Sequence, residues 1–354
     1  MPDHPRLTAL TTAVPPYPLD QDDVRARAPQ LFDRPIAELE RLSAIYDNAG
    51  IQRRYSCVPL DWYGREIGWK DRNALYEHHA LDLLTTAAER ALAQADLPAA
   101  AIDAIVTVST TGIATPSLDA RLMNRLAFRR DTARLPLFGL GCCGGVQGLG
   151  RAAELAATGK RVLLLTVELC ALTFRAGDPS KSNLVATALF GDGAAGAVVS
   201  GVPGDAGPRL TGWGEHTWPD SEDVMGWTVE DDGLGVLFSR DIPSLVANDY
   251  APVLDAFLHR HALSRGDVAA TACHPGGAKV VNALEAVFGL DDGAMAAERR
   301  VLRDYGNMSA PTVLFVLREV LRRAPPGPVL ASALGPGFTA GFALLDPRPA
   351  DDRV

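Results

Sequence analysis

The sequence predicts an α/β fold built from two related halves, and three observations carry that expectation. The chain has 354 residues, more than one small core needs, so two domains or one duplicated unit is expected. Apolar strand-like runs alternate with segments of helical period, which is the pattern of an α/β architecture. The stretches "LFGDGAAGAVV" (189–199) and "LGPGFTAGFALL" (334–345) are alike, each a G-x-G turn followed by a small-residue strand, and each closes one half.

The elements follow in order. "HHALDLLTTAAERALAQADLP" places Leu81, Leu84, Ala88, Ala91 and Leu92 at helical spacing and stops at Pro98. "AIDAIVTVSTTG" reads as a buried strand ending at Gly112, and "SLDARLMNRLAF" as a polar helix. The short strand "RLPLFGL", a cysteine-bearing turn with its helix, and the strand "RVLLLTVEL" come next, with Gly159 and Lys160 as the helix stop before that strand. "LVATALFGDGAAGAVVSGVPGDAGP" closes the first half with an apolar strand and a Gly/Pro-rich linker at 201–208, which sets the halves at 1–205 and 206–354. In the second half "VAATACHPGG" is strand then loop, "PTVLFVLREVLRR" an amphipathic helix, and "PVLASALGPGFTAGFALLDP" two strands around a Gly-rich turn.

Composition narrows the function classes. With 47% apolar and 22% charged residues the chain is an ordinary soluble globular protein. It carries 34 basic against 43 acidic residues, net charge −9, and no Lys/Arg run, which argues against nucleic acid as partner. The start "MPDHPRLTAL" lacks the basic and apolar regions of a signal peptide, and no apolar run approaches the roughly 20 residues of a membrane helix. A cytoplasmic protein without membrane insertion is expected. Five cysteines at irregular spacing, Cys57, Cys142, Cys143, Cys170 and Cys273, imply free thiols rather than a disulfide framework. No spacing reads as a metal site, and the adjacent His78 and His79 are expected to point different ways on a helix.

The segment "PLFGLGCCGGVQGLG" admits several chemistries. Gly139, Gly141 and Gly144 spell G-x-G-x-x-G between a strand and a helix, and Glu168 ends the next strand where a ribose-binding acid would stand. That motif alone is weak evidence, and here it would put two thiols in a phosphate loop. A cysteine at a helix start, by contrast, feels the positive end of the helix dipole and unpaired N–H groups, which favour a nucleophilic thiolate. Both thiols are also small enough to be plain core residues. Two later residues weigh on the choice. His274 stands just past a strand on the Gly/Pro-rich "HPGG", where a ring would be presented rather than packed. Asn307 precedes a helix with Ser309 as its expected N-cap and Pro311 in its first turn. Cys, His and Asn in this order also describe papain-like proteases, but "GCCGGV" has no aromatic residue after the second cysteine.

Taken together, "GLGCCGG", "ALFGDGAA", "HPGG", "YGNMSAPTVLF" and "LGPGFTAG", in this order, closely resemble the type III polyketide synthases, chalcone-synthase-like enzymes of the thiolase superfamily, from about residue 30 to residue 346. The resemblance implies an α/β, thiolase-like five-layer fold (αβαβα) of two related halves, and a homodimer. It implies Cys142 as nucleophile with His274 and Asn307 as its partners, and Phe190 as a gatekeeper. A second phenylalanine of the plant enzymes falls on Val236. Thr110, Thr111, Cys170, Thr173, Ser309, Gly335 and Pro336 fall on or beside cavity positions, and Thr115 falls where plant members carry a methionine that reaches into the partner subunit.

The implied reaction is an acyl transfer. A Cys142 thiolate, paired with His274, takes an acyl group from acyl-CoA. Malonyl-CoA loses CO2 to an enolate held by His274 and Asn307, and that carbanion extends the chain by two carbons. No metal or redox cofactor is expected, since coenzyme A arrives and leaves with the substrates. Arg53 and Arg54 in "GIQRRY" are candidates for its phosphates. The small residues Val236, Thr115 and Thr173 suggest a roomy cavity, hence a medium- or long-chain fatty acyl starter and an alkylpyrone or alkylresorcinol product. The alternative is an initiating 3-ketoacyl-ACP synthase, which would condense once onto a carrier protein and should show a basic docking patch.

Overall fold

The computed structural model describes residues 4–31, 44–175, 177–178, 180–239 and 241–348. Thirteen strands occur among them: β1 Arg6–Ala13, β2 Tyr17–Asp20, β3 Arg53–Ser56, β4 Ala104–Val108, β5 Ala133–Leu137, β6 Arg161–Leu169, β7 Asp192–Ser200, β8 Arg209–Thr217, β9 Met225–Glu230, β10 Gly233–Phe238, β11 Ala270–Cys273, β12 Val329–Gly335 and β13 Thr339–Asp346. Nine of these are linked in the order β11-β12-β13-β8-β1-β7-β6-β4-β5. The join at the middle is slight, because β1 and β8 pair only at Arg6 opposite Arg209.

On either side of that join the neighbour pattern repeats. β1 runs antiparallel to β7, β7 antiparallel to β6, and β6 parallel to β4. In the same way β8 runs antiparallel to β13, β13 antiparallel to β12, and β12 parallel to β11. The two similar glycine-rich stretches supply β7 and β13, which hold matching places. The first half has one further strand, β5, parallel to β4 at the sheet edge.

Period-two side-chain alternation divides the interior among three large cores, beside a small fourth cluster of Ala49, Ile51, Leu189 and Leu302, and so produces five layers. Along β6, Val162 and Leu164 enter one core while Leu163 and Leu165 enter another. The outer core of the first half lies under the helix Trp69–Gln94, through Ala80, Leu84, Ala87 and Ala91. In the middle core two helices, Gly144–Ala156 and Ala310–Leu321, are sandwiched between strands of both halves. The outer core of the second half sets the helices Ala251–Arg260 and Ala278–Phe288 against Leu330, Phe342 and Leu344.

Several elements differ from the sequence reading. Ala310–Leu321 is not amphipathic, since every residue from Ala310 to Leu317 is buried, as a helix of the middle layer must be. A helix Lys181–Leu189 precedes β7, where the apolar run "LVATAL" gave no period that separates helix from strand. The polar helix shrinks to Leu118–Leu122. The rings of His78 and His79 do not diverge but lie 4.9 Å apart, edge to face. Among the described residues no helix is long and apolar enough to cross a membrane.

The two middle helices approach so closely that glycine is required between them. A Cβ on Gly145 would fall 2.2 Å from the Ala310 carbonyl oxygen and 2.6 Å from a Val313 methyl. Gly145→Ala is therefore expected to lower unfolding free energy by about 1–3 kcal/mol, the usual cost of overpacking, as read from urea denaturation.

Candidate functional site

The N-terminal ends of the two middle helices meet at one place. Cys142 lies in the single 3-10 turn Gly141–Cys143 that leads into Gly144–Ala156. Gly141 holds φ at +49°, and a Cβ there would strike Pro336 at 2.6 Å. The Thr110 hydroxyl accepts its N–H at 3.2 Å. Asn307 stands ahead of Ala310–Leu321 and pairs with the backbone beside Phe190. Its N–H donates to Leu189 O at 2.8 Å, and its carbonyl accepts from Gly191 N at 3.0 Å. His274 leaves β11 with its N–H on Ser332 O at 2.7 Å.

Cys142, His274 and Asn307 line one small chamber with Met225, Phe238, Ile242, Tyr250 and Ser332. The Asn307 amide has a single consistent orientation. Its Oδ1 accepts the Ser309 N–H at 2.8 Å, and its Nδ2 donates to Gly276 O at 3.3 Å. An N–H cannot accept and a carbonyl cannot donate, so the network fixes the flip. Oδ1 then faces the Cys142 thiol, 3.9 Å from Sγ, and one Nδ2 proton remains for a ligand. Both ring nitrogens of His274 lack a partner although the residue is only 5% exposed. Buried polar atoms left without partners are costly, and here they face the thiol's chamber.

Burial dominates the electrostatics. It pushes the Cys142 thiol up to about 11, against smaller opposing effects of its hydrogen bonds with Ser309 and Asn307. It pushes His274 down to about 3. The helix start was expected to favour a thiolate, but the loss of water outweighs it, and both shifts favour a neutral thiol beside a neutral imidazole. Glu168 ends β6 fully buried, with Oε2 accepting from Thr110 N at 2.9 Å and from Thr111 Oγ1 at 2.8 Å. Burial raises it to about 7. It is sealed from any ribose, and Gly141 and Gly144 are occupied in packing against Pro336, Val108 and Ala310 rather than in cradling a pyrophosphate.

Comparison with known proteins identifies the family. The profile of the chalcone and stilbene synthases matches in two parts, the N-terminal domain at residues 5–203 and the C-terminal domain at 214–342. The chain belongs to the chalcone and stilbene synthase family. It is 40% identical over 350 residues to a 1,3,6,8-tetrahydroxynaphthalene synthase of Streptomyces peucetius subsp. caesius, covering 96% of this chain and 92% of that one. It is 27% identical over 359 residues to the alpha-pyrone synthesis polyketide synthase-like Pks18 of Mycobacterium tuberculosis, covering 96% and 90%. The crystal structure of tetrahydroxynaphthalene synthase from Streptomyces coelicolor A3(2), a bacterial type III polyketide synthase, superposes with a TM-score of 0.92 at 29% identity, over 98% of this chain and 100% of that one. The protein is thus a type III polyketide synthase, an acyltransferase that works on coenzyme A thioesters.

The remaining expected site residues of the synthase divide into groups. Cys170, Phe190, Val236, Ser309 and Pro336 line a second chamber on the other side of Cys142. Cys170, Thr173 and Phe190 also line an apolar pocket that runs on toward Leu19, Val24 and Phe174. Thr110 and Thr111 turn their polar atoms to Glu168 and Gly141 instead of the cavity. Gly335 packs on Cys143, which is wholly buried with its thiol on Ala333 O at 3.5 Å. Thr115 is exposed on a loop beside Ile113, outside the chain's own chambers. Trp227, the cross-strand partner of Val236, lines the same chamber, and its ring meets Phe190 edge to face at 6.1 Å. No sequence pattern pointed to Trp227, because the β9–β10 pairing alone sets it there.

The two arginines expected at the phosphates differ in placement. Arg54 is 2% exposed and donates to Thr187 O at 2.6 Å and Phe190 O at 2.9 Å, so it braces the Phe190 segment from within. Arg53 is exposed and meets Asp20 at 2.8 Å on the surface, while Arg54 lines the apolar pocket behind Cys170 and Phe190.

A neutral resting pair has a measurable signature. Alkylation of Cys142 by iodoacetamide should accelerate about tenfold per pH unit from pH 7 to 10, because only the thiolate reacts and its fraction grows toward a pKa near 11. A rate already flat from pH 6 would instead report a preformed thiolate–imidazolium pair.

Proposed function

We propose that the synthase loads a medium- or long-chain fatty acyl group from acyl-CoA onto Cys142, extends it by repeated decarboxylative condensation with malonyl-CoA, and releases an alkylpyrone or alkylresorcinol. The observation that carries this reading is the free Nδ2 proton of Asn307 and the unpartnered His274 ring, both facing the Cys142 chamber. In loading, neutral His274 takes the thiol proton as Sγ attacks the acyl carbonyl, and returns it to the departing coenzyme A thiolate. In extension, the malonyl C–C bond breaks and CO2 leaves. The electron pair passes into a thioester enolate whose oxygen accepts hydrogen bonds from His274 and Asn307. The enolate carbon then attacks the Cys142 thioester, a C–C bond forms, and the C–S bond breaks to regenerate the sulfur. Loss of CO2 supplies the carbanion, so the chemistry asks for no metal or redox cofactor.

The fatty starter is supported by the apolar pocket behind Cys170, Thr173 and Phe190, which prolongs the Cys142 chambers toward Leu19 and Val24. The relative named for alpha-pyrone synthesis is in keeping with that choice. The 40% identical relative is named for tetrahydroxynaphthalene, a different product, so the starter is the point to test. We also infer a cytoplasmic homodimer. Strand β5 is a largely exposed sheet edge, and Phe138 just beyond it and Ile113 are 64% and 55% exposed, an arrangement suited to pairing with a second copy.

Incubation with malonyl-CoA and acyl-CoAs from acetyl to palmitoyl, with products identified by mass spectrometry, is expected to give triketide and tetraketide products with the longer starters. Cys142→Ala should abolish them, and Asn307→Ala should cut turnover by about 10²–10³, the usual effect of losing one donor to a developing oxyanion. Products from malonyl-CoA alone would replace the fatty starter with a malonyl one. A single condensation seen only with acyl carrier protein would indicate an initiating ketoacyl synthase. Light scattering should find a dimer, with Phe138→Asp shifting it to monomer.

A further inference from the structure

The chamber of Cys142, His274 and Asn307 has a further polar feature that acyl loading and enolate formation leave idle. Among the described residues lining it, the only hydroxyl groups are those of Tyr250 and Ser332. Both residues are buried, 1% and 2% exposed, and their hydroxyls are hydrogen-bonded to each other at 2.5 Å. Ser332 lies on β12, where its carbonyl accepts the His274 N–H and Phe342 is its cross-strand neighbour. The Tyr250 ring packs on that same Phe342, with centroids 5.7 Å apart. Tyr250 closes Val246–Tyr250, a single π-helical turn ahead of the helix Ala251–Arg260. Such wide turns are rare and occur frequently at functional sites.

Two hydroxyls carry two protons, and the bond between them uses one. Whichever oxygen donates, the other O–H has no acceptor among the described residues. Burial holds the Tyr250 phenol well above its ordinary value, so it stays protonated. A buried donor without an acceptor is costly, and this one shares its chamber with the two unpartnered nitrogens of His274. Malonyl-CoA brings two polar groups to the thiol. His274 and Asn307 must meet the thioester oxygen, because negative charge grows there. The carboxylate is then left for the remaining donor.

We propose that the Tyr250–Ser332 hydroxyl pair donates a hydrogen bond to the carboxylate of the malonyl unit and so selects the extender. The assignment rests on the decarboxylative reading of the chamber and adds the residues that tell malonyl from acetyl thioesters. A neutral donor suits this task. The carboxylate loses its charge as the C–C bond breaks, CO2 leaves and the electron pair passes into the enolate. A hydrogen bond to it is therefore strongest before the bond breaks, and it serves binding rather than the chemical step.

The test uses the amide analogues of malonyl-CoA and acetyl-CoA, in which NH replaces the thioester sulfur and decarboxylation is suppressed. In calorimetric titration of Tyr250→Phe/Ser332→Ala, the ratio of Kd for the malonyl amide to Kd for the acetyl amide should rise about tenfold over wild type, the usual worth of one hydrogen bond to a charged acceptor. Removing one hydroxyl frees the proton of the other, so Tyr250→Phe and Ser332→Ala should each lose less than the double variant. In turnover, the KM for malonyl-CoA should rise without a fall in kcat. Tyr250→Phe/Ser332→Cys, which keeps the volume and only a weak donor, gives the same ratio by a second route if the alanine version fails to fold. Absence of malonyl-derived products from the wild type would sink the decarboxylative reading, while the ratio, which needs no turnover, still judges the hydroxyls. An unchanged ratio in the double variant overturns the proposal. So does a fall in kcat with KM unchanged, or two single variants that each match the double, the mark of a mere tie between turn and strand.

Discussion

The contact on which this molecule depends is the close approach of its two middle helices. Gly144 and Gly145 lie against Ala310, Val313 and Val108 with no room for a side chain. Because both helices begin where they touch, the residues just ahead of each are brought together as well: Cys142 on one chain segment, Asn307 and Ser309 on the other. The strands serve that contact, since each half presents one face of its sheet to the same central core. His274, carried on the end of β11, is then delivered to the same spot by pairing with β12.

Much of this was legible in the residues. Strand β6 was read with its observed ends because "RVLLLTVEL" is a continuous apolar run bounded by Gly159 and Lys160, and no helix of nine residues would be uniformly apolar there without a flanking period. The duplication was visible at β7 and β13, where glycines mark matching turns. The cluster of Cys142, His274 and Asn307 was legible because each member sits at an element end in a distinctive local string. What escaped detection depends on distance in space. Arg54 reads as a candidate phosphate contact until the Thr187 and Phe190 carbonyls are placed around it. Trp227 reads as an ordinary strand aromatic until Val236 is set opposite. Depth escaped too: His274 looked presented on a Gly/Pro loop, but β12 and the β9–β10 hairpin cover it, and sequence pattern says little about what will be laid over a loop.

Depth also changes the chemistry. A thiolate and an imidazolium would each give up hydration in this chamber, and only a close, well-satisfied pair recovers it. With Cys142 pushed up and His274 pushed down, burial favours an uncharged thiol beside an uncharged imidazole, and both His274 nitrogens are left without a partner. Glu168 follows the same rule one layer back, a carboxyl shielded from water and held by Thr110 and Thr111.

The thiol of Cys142 faces an amide 165 positions away along the chain. Contacts of such separation close late, because the entropy of the intervening loop must first be overcome. While the ribosome has released only the first half, the helix start at Cys142 has nothing across from it, neither the amide of Asn307 nor the ring of His274. Reactivity therefore becomes a property of the finished chain. A partly made or partly folded copy carries Cys142 without the residues that face it, and the chamber exists only once both halves have joined.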